Sequence, residues 1–263
     1  MSTVRLPYVE HGDPAGIPVV MLHGYSDSWR SFELLLQELP EEIHAFAITQ
    51  RGHGDADRPA AGYRPEDYAA DLLAFLDARG IAEAVVVGHS GGSYTARRFA
   101  ADHPERTLGV VLIGAFAQFA GNPDVDELAD VVWQLTDPVD PAFVRGFQEA
   151  CVARPLPDGF LDGIVAESLK LPARVWQAYL RGLLQSEPPG ALTVPGLVLW
   201  GDQDAFTTAR DQEALLAAIP GSRLVTYPGT NHCPHWERPV ASAAEIAAFA
   251  TALRSERPAA LRR

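Results

Sequence analysis

Cysteine is nearly absent from these 263 residues. Only Cys151 and Cys233 occur, too few and too far apart for a disulfide framework or a metal knuckle, and a reducing cytoplasm is the location this implies. There is no run of about 18 apolar residues, and Met1 to Glu10 carries no apolar segment flanked by positive charge, so neither a membrane span nor a signal peptide is expected. Positive charge is in deficit. The 21 Lys and Arg stand against 34 Asp and Glu, and a formal charge of −13 argues against nucleic acid or an anionic membrane as partner. No two of the 8 histidines sit at helical ligand spacing beside a carboxylate, so neither a metal nor another cofactor is expected. Internal repeats and low-complexity segments are missing too. What remains is a composition 47% hydrophobic and 21% charged, that of a soluble globular protein long enough to bury a large core.

The elements alternate. Residues 5–10 and the turn HGDPAG read as an antiparallel hairpin leading into a buried strand at Ile17–Leu22. Trp29 to Leu39 puts Phe32, Leu35, Leu36 and Leu39 on one helical face, and Ile43–Thr49 is the next strand. A helix opens at Pro65 and stops at Gly80; strands follow at Val85–Gly88 and Leu108–Ile113. From about Ala115 to Leu192 the rhythm changes to four helical pieces broken at NPD, TDPVDP, RPLPDG and LPAR. Strands GLVLW and RLVTY and helices near 211–219 and 239–253 complete the pattern, and SERPAALRR reads as a frayed tail. Strands alternating with helices imply an α/β fold with a parallel sheet. The expected division is an α/β core at 1–114 and 193–263, with a helical cap at 115–192.

The stretch Val85 to Gly92, VVVGHSGG, organises the rest. Three β-branched residues end at Gly88, and a helix begins after Ser90, which puts G-x-S-x-G between a strand and a helix. A serine hydroxyl is a weak nucleophile that must stand clear of its own backbone and within reach of a base. The helix start aims free N–H groups, Gly91 first among them, at any negative charge formed there. The base needs an orienting acid. His232 lies in the loop after RLVTY, and Asp202 and Asp204 lie in the loop after GLVLW, both near the carboxyl edge of the sheet.

With the order Ser90, acid, His232 in place, the chain resembles the α/β-hydrolase superfamily, in the branch with haloperoxidase-like, epoxide-hydrolase-like and carboxylesterase members. LHGYSDSW, QRGHGDADRP, GHSGGS, LVLWGDQDAF and PGTNHCPHWERP carry the resemblance. It implies an α/β-hydrolase fold with a helical lid. It makes Ser90 the nucleophile, Asp204 the acid, with Asp202 shaping the turn, and His232 the base, with His235 as the less favoured alternative. The residue before the histidine is commonly Gly; here it is Asn231. Some branches take the acid after the strand ending at Ile113, but Gly114-Ala115-Phe116-Ala117 holds no carboxylate. The resemblance adds the backbone N–H of Tyr25 to that of Gly91 as the oxyanion donors. Tyr25, Trp29, Phe116, Trp133 and Phe206 are candidate substrate-binding residues, with Phe119, Phe143, Phe147, Trp176 and Tyr179 as further lid aromatics; loop packing is an equal reading for Tyr25 and Trp29, and ordinary core the favoured one for any single lid aromatic. His53 is expected to brace its loop, His89 to pack behind the elbow, and His11, His44 and His103 to be structural or at the surface.

The expected activity is hydrolysis of a small or medium carboxylic ester or lactone through an acyl-enzyme, with a small molecule as the only partner. Serine at position 90 disfavours epoxide hydrolysis and dehalogenation, for which related enzymes use aspartate. Alternatives sharing the fold are cofactor-free perhydrolysis of the haloperoxidase type and carbon–carbon bond hydrolysis. A hydrolase-like ligand receptor is an alternative of another kind.

Overall fold

Apolar β-branched residues on both faces of a strand require cover on both sides, and four strands meet that demand. In the computed structural model, which describes residues 4–256, the strands are β1 (Tyr8–His11), β2 (Ile17–Leu22), β3 (Ile43–Ile48), β4 (Ala84–His89), β5 (Thr107–Ile113), β6 (Gly196–Gly201) and β7 (Arg223–Tyr227). β2 to β5 are buried almost throughout. They form one sheet in the order β1-β3-β2-β4-β5-β6-β7, parallel except for β1 against β3.

The expected hairpin between the first two strands does not form. β1 pairs with β3 instead, Tyr8 opposite Ile48 and His11 opposite Ala45. Both edges of β2 are occupied by β3 and β4. The intervening turn is held to the segment before β3, where Asp13 and Ile17 N–H donate to Glu41 and Glu42 carbonyls, each at 2.8 Å.

Side-chain alternation sorts the helices onto two faces. Val20, Leu22 and Val86 pack under α2 (Pro65–Arg79), α3 (Gly91–Asp102) and α8 (Ala209–Ala218) through Leu72, Phe99 and Leu215. Val19, Met21, Val85 and Val87 pack on the other side against α1 (Glu33–Leu36) and, after the single turn of α9 (Pro234–Glu237), α10 (Pro239–Glu256) through Leu35 and Ile246. The helix expected over 29–39 is a 3₁₀ turn, Trp29–Phe32, running into the single turn of α1. Ser255 and Glu256 continue α10, and the rest of the expected tail, 257–263, lies outside the described residues.

Between β5 and β6 lie α4 (Pro123–Val132), α5 (Pro141–Glu149), α6 (Phe160–Ser168) and α7 (Ala173–Gln185). The breakers seen in the sequence mark their starts. Asn122 and Asp140 cap α4 and α5 by accepting backbone N–H bonds, each followed by a first-turn proline. These helices share an apolar cluster with Tyr25, Tyr68 and Tyr94 of the core, so they are packed down over the carboxyl ends of the strands.

Candidate active site

β4 runs straight into the turn that carries Ser90. A methyl group on Gly88 would run into the Gly92 carbonyl and lie 2.6 Å from Ser93 Cα, and one on Gly92 would meet the Leu22 and His23 carbonyls. Both positions therefore require glycine on steric grounds. Ser90 itself has φ 50° and ψ −118°, a conformation an L-residue adopts only when its surroundings hold it there, at a cost of roughly 1–3 kcal/mol. Three bonds do so: Ser90 N–H donates to the Ile113 carbonyl at 3.0 Å, and the Ser90 carbonyl accepts Ser93 N–H at 2.9 Å and the Ser93 hydroxyl at 2.5 Å. Gly91 opens α3, so its N–H is one of the free donors of a helix start.

The first loop lies against this turn. A methyl on Gly24 would sit 2.7 Å from His89 Nδ1 and 3.2 Å from Ser90 Cβ. His23 fixes the loop from within, with Nδ1 at 2.9 Å from the Gly24 carbonyl and Nε2 accepting Gln50 N–H at 3.0 Å. That arrangement needs a neutral ring, and burial, followed by the neighbouring His53, holds the His23 pKa well below its usual value. Tyr25 is buried beside Trp176 and Tyr179 and gives its hydroxyl proton to the Trp176 carbonyl at 2.6 Å.

After β6 the chain turns at Asp202, whose Oδ1 accepts Gly229 N–H at 2.7 Å, the turn-shaping position expected for it. Asp204 faces inward. Its Oδ1 accepts Phe206 and Thr207 N–H at 2.8 and 3.1 Å, and its Oδ2 accepts the Thr207 hydroxyl at 2.6 Å. His232 Nδ1 lies 3.0 and 3.1 Å from the two oxygens, with both side chains buried. An ionised carboxylate only accepts, so Nδ1 carries the imidazole proton and Nε2 presents a lone pair. Burial opposes the Asp204 charge, but the His232 imidazole and the Thr207 and Phe206 donors outweigh it and hold the carboxyl below the ordinary range.

Ser90 and His232 line one cavity. Among the described residues no hydrogen bond joins Ser90 Oγ to His232 Nε2, a kind of bond that commonly tightens only on substrate binding.

Asn231, where the family commonly has glycine, bridges three segments. Its Oδ1 accepts the N–H of Ala205 and of His232 at 2.9 and 2.8 Å, and its Nδ2 donates to the Ala150 carbonyl at the end of α5 at 3.0 Å. Gly114, at φ 49°, lets the end of β5 pass beside the imidazole, because a methyl there would lie 3.0 Å from His232 Nδ1.

Of the candidate aromatics, Tyr25, Phe116, Phe119, Phe147 and Phe206 line the cavity. Trp29 does not. It packs on the outer helical layer with the Arg30 guanidinium 4.9 Å from its ring. Trp133 is likewise outside, half-buried at the end of α4 under Arg181 at 5.3 Å. Trp176 and Tyr179 are fully buried core, and Phe143 packs on Trp176 at 5.5 Å. The α4 and α7 periodicity could not tell the cavity side from the core side.

His235 does not approach Asp204; its Nε2 is 3.2 Å from Ser31 Oγ, and burial and then the nearby His232 push its pKa down to about 3. His89 is not behind the elbow. It lines the cavity, with its ring centroid 5.1 Å from His232 and 4.4 Å from His235. His53 braces its loop as expected, its Nδ1 2.9 Å from the Arg51 carbonyl. Asp27, Gln148 and Cys151 also line the cavity without having been singled out in the sequence. The only signal for Asp27 was a carboxylate two residues after Tyr25.

A serine turn at the end of the central parallel strand β4, with an acid and an imidazole from the loops after β6 and β7, defines an α/β-hydrolase fold. The chain belongs to the alpha/beta hydrolase family, whose model matches residues 19–245. It is similar to epoxide hydrolase 4 of Mus musculus, 26% identical over 234 residues, covering 78% of this chain and 64% of that protein. It is also similar to the pimeloyl-[acyl-carrier protein] methyl ester esterase of Neisseria meningitidis, 28% identical over 229 residues, covering 82% of this chain and 86% of that one. The match thus spans less than two thirds of epoxide hydrolase 4 and most of the esterase. Among solved structures, an esterase from Rhodococcus sp. ECU1013 superposes with a TM-score of 0.81 at 27% identity, covering 96% of this chain and 100% of that one.

Proposed function

We propose that this chain is a serine hydrolase cleaving a small or medium carboxylic ester or lactone through an acyl-enzyme. The observation that carries the reading is the Asp204–His232 pair, which opens onto the same cavity as the strained Ser90. His232 Nε2 takes the Ser90 proton as Oγ attacks the substrate carbonyl. The Gly91 and Tyr25 N–H groups receive the oxyanion; one such donor typically contributes 10²–10³ in turnover. The imidazolium protonates the leaving alcohol; the neutral imidazole so regenerated deprotonates a water that attacks the acyl-enzyme, and it returns that proton to Ser90 Oγ as the acid leaves. Serine at 90 separates this reading from the reaction named for epoxide hydrolase 4, since related enzymes for that reaction use aspartate. The names of the Neisseria and Rhodococcus relatives agree with ester cleavage.

The test is hydrolysis of 4-nitrophenyl acetate and butyrate, with fluorophosphonate labelling. Multiple turnovers by the wild type, and loss of both turnover and label in Ser90→Ala, are expected. Equal turnover by the variant would defeat the proposal.

A further inference from the structure

The cavity holds a second carboxyl that acyl transfer does not use. Asp27 stands in the loop after β2, 2% exposed and lining the cavity wall. Its Oδ1 accepts Gln148 Nε2 at 3.0 Å, its Oδ2 accepts the Ser31 hydroxyl at 3.0 Å, and His89 Nδ1 is 3.8 Å from Oδ2. No lysine or arginine pairs with it among the described residues. The titratable groups around it are His89 and His235, both kept neutral by burial, then His232, Cys233 and the Tyr179 hydroxyl.

Two neutral donors leave a carboxylate half satisfied, since it can accept about four hydrogen bonds. The nearest ring nitrogen, His89 Nδ1, has no hydrogen-bond partner at all. Gln148 Nε2 also faces the Ser26 and Ser168 hydroxyl oxygens at 3.1 and 3.0 Å, so its two hydrogens are shared among three acceptors and the polar wall joins the core loop to α5 and α6. Apart from Ser90 and the His89 and His232 rings, most of the remaining lining is apolar, with Phe116, Phe119, Val125 and Leu183. An under-coordinated acceptor in an otherwise greasy pocket discriminates strongly, because a ligand without a donor leaves it buried and unpaired.

We propose that Asp27 selects the substrate: its carboxyl accepts a hydrogen bond from a donor, hydroxyl or ammonium, on one arm of the bound ester, while the other arm lies on Phe116, Phe119 and Leu183. This rests on the ester-hydrolase reading. It narrows the substrate class to hydroxy- or amino-substituted esters and lactones, and it disfavours substrates with a carboxylate on that arm. Burial raises the Asp27 pKa to about 7, against the pull of Gln148 and Ser31, so the group changes charge near neutrality. An ammonium-bearing ester therefore gains as pH rises from 6 to 8, whereas a hydroxy ester finds an acceptor in either form.

Matched esters measured by pH-stat test this. The alcohol arm compares 2-hydroxyethyl butyrate with propyl butyrate. The acyl arm compares methyl 3-hydroxybutyrate and methyl 3-aminobutyrate with methyl 3-methylbutyrate. The wild type is expected to favour the donor-bearing ester of at least one arm by about 10- to 100-fold in kcat/KM, the effect of one hydrogen bond to a charged group. In Asp27→Leu and Asp27→Ala, which offer the ester no acceptor, that ratio falls toward unity, whatever happens to absolute rates, which a merely structural role would not produce. Equal hydrolysis of both members of every pair by the wild type overturns the inference without any variant having to fold, and so does a ratio retained in the variants. Absence of hydrolysis on all five esters and on 4-nitrophenyl butyrate is a different result, which overturns the ester-hydrolase reading and this inference with it.

Discussion

Replacing Asp204 by asparagine removes one charge and almost no volume, and the surrounding donors dictate how the amide must sit. Phe206 and Thr207 N–H both point at Oδ1, so the amide oxygen has to take that position. The NH₂ then takes the place of Oδ2, beside the Thr207 hydroxyl, which can turn to accept, and 3.0 Å from His232 Nδ1. An N–H facing Nδ1 favours the tautomer with its proton on Nε2, the nitrogen that accepts the Ser90 proton in the proposed mechanism. In a Ser-His-Asp arrangement the wrong tautomer lowers kcat by about 10⁴, or about 5 kcal/mol of barrier. The expected outcome for Asp204→Asn is a 4-nitrophenyl butyrate kcat lower by that factor, with KM changed little and the far-UV spectrum unchanged. The reasoning fails if the folded variant retains activity within tenfold of wild type.

Stability should depend on pH through Asp27. Its folded pKa of about 7 stands above the ordinary 3.8, so between these values the native state keeps a proton that the unfolded chain has released. The contribution is therefore fully present below about pH 4, declines as pH rises to about 7 and is then constant, a total of about 4 kcal/mol. Denaturant unfolding of wild type and Asp27→Asn from pH 4 to 8 should show that decline only in the wild type; parallel profiles would refute it. For Asn231→Gly, the loss of bonds to Ala205, His232 and Ala150 should lower unfolding free energy by about 2–4 kcal/mol and reduce kcat/KM. A variant with unchanged denaturation midpoint and activity would show that the bridge is dispensable.

Much of the fold was legible because it is written in short-range pattern. The run Val85–Val87, the glycines at 88 and 92 and the breakers before α4 to α7 each act within a few residues. The hairpin assigned to the first strands was wrong because pairing is settled by which edge is free, and both edges of β2 were taken. Trp29 and Trp133 were misplaced for a related reason. A ring at helical spacing is apolar on whichever side it falls, and only the neighbouring layer decides whether that side is core, cavity or the underside of an arginine. His89 follows Gly88 in the same motif as Ser90, yet its direction into the imidazole cluster depends on His232 and His235 from the far end of the chain.

The sequence by itself determined the backbone demands, the strand and helix rhythm and the chain order of serine, acid and histidine, because these are local properties of residue type and spacing. Only the tertiary structure decided which side chains meet. It set Asp204 against His232 across 28 positions and Asp27 against Gln148 across 121. Contacts at such separation follow from how layers pack and where loops end, and no periodicity in the chain encodes that.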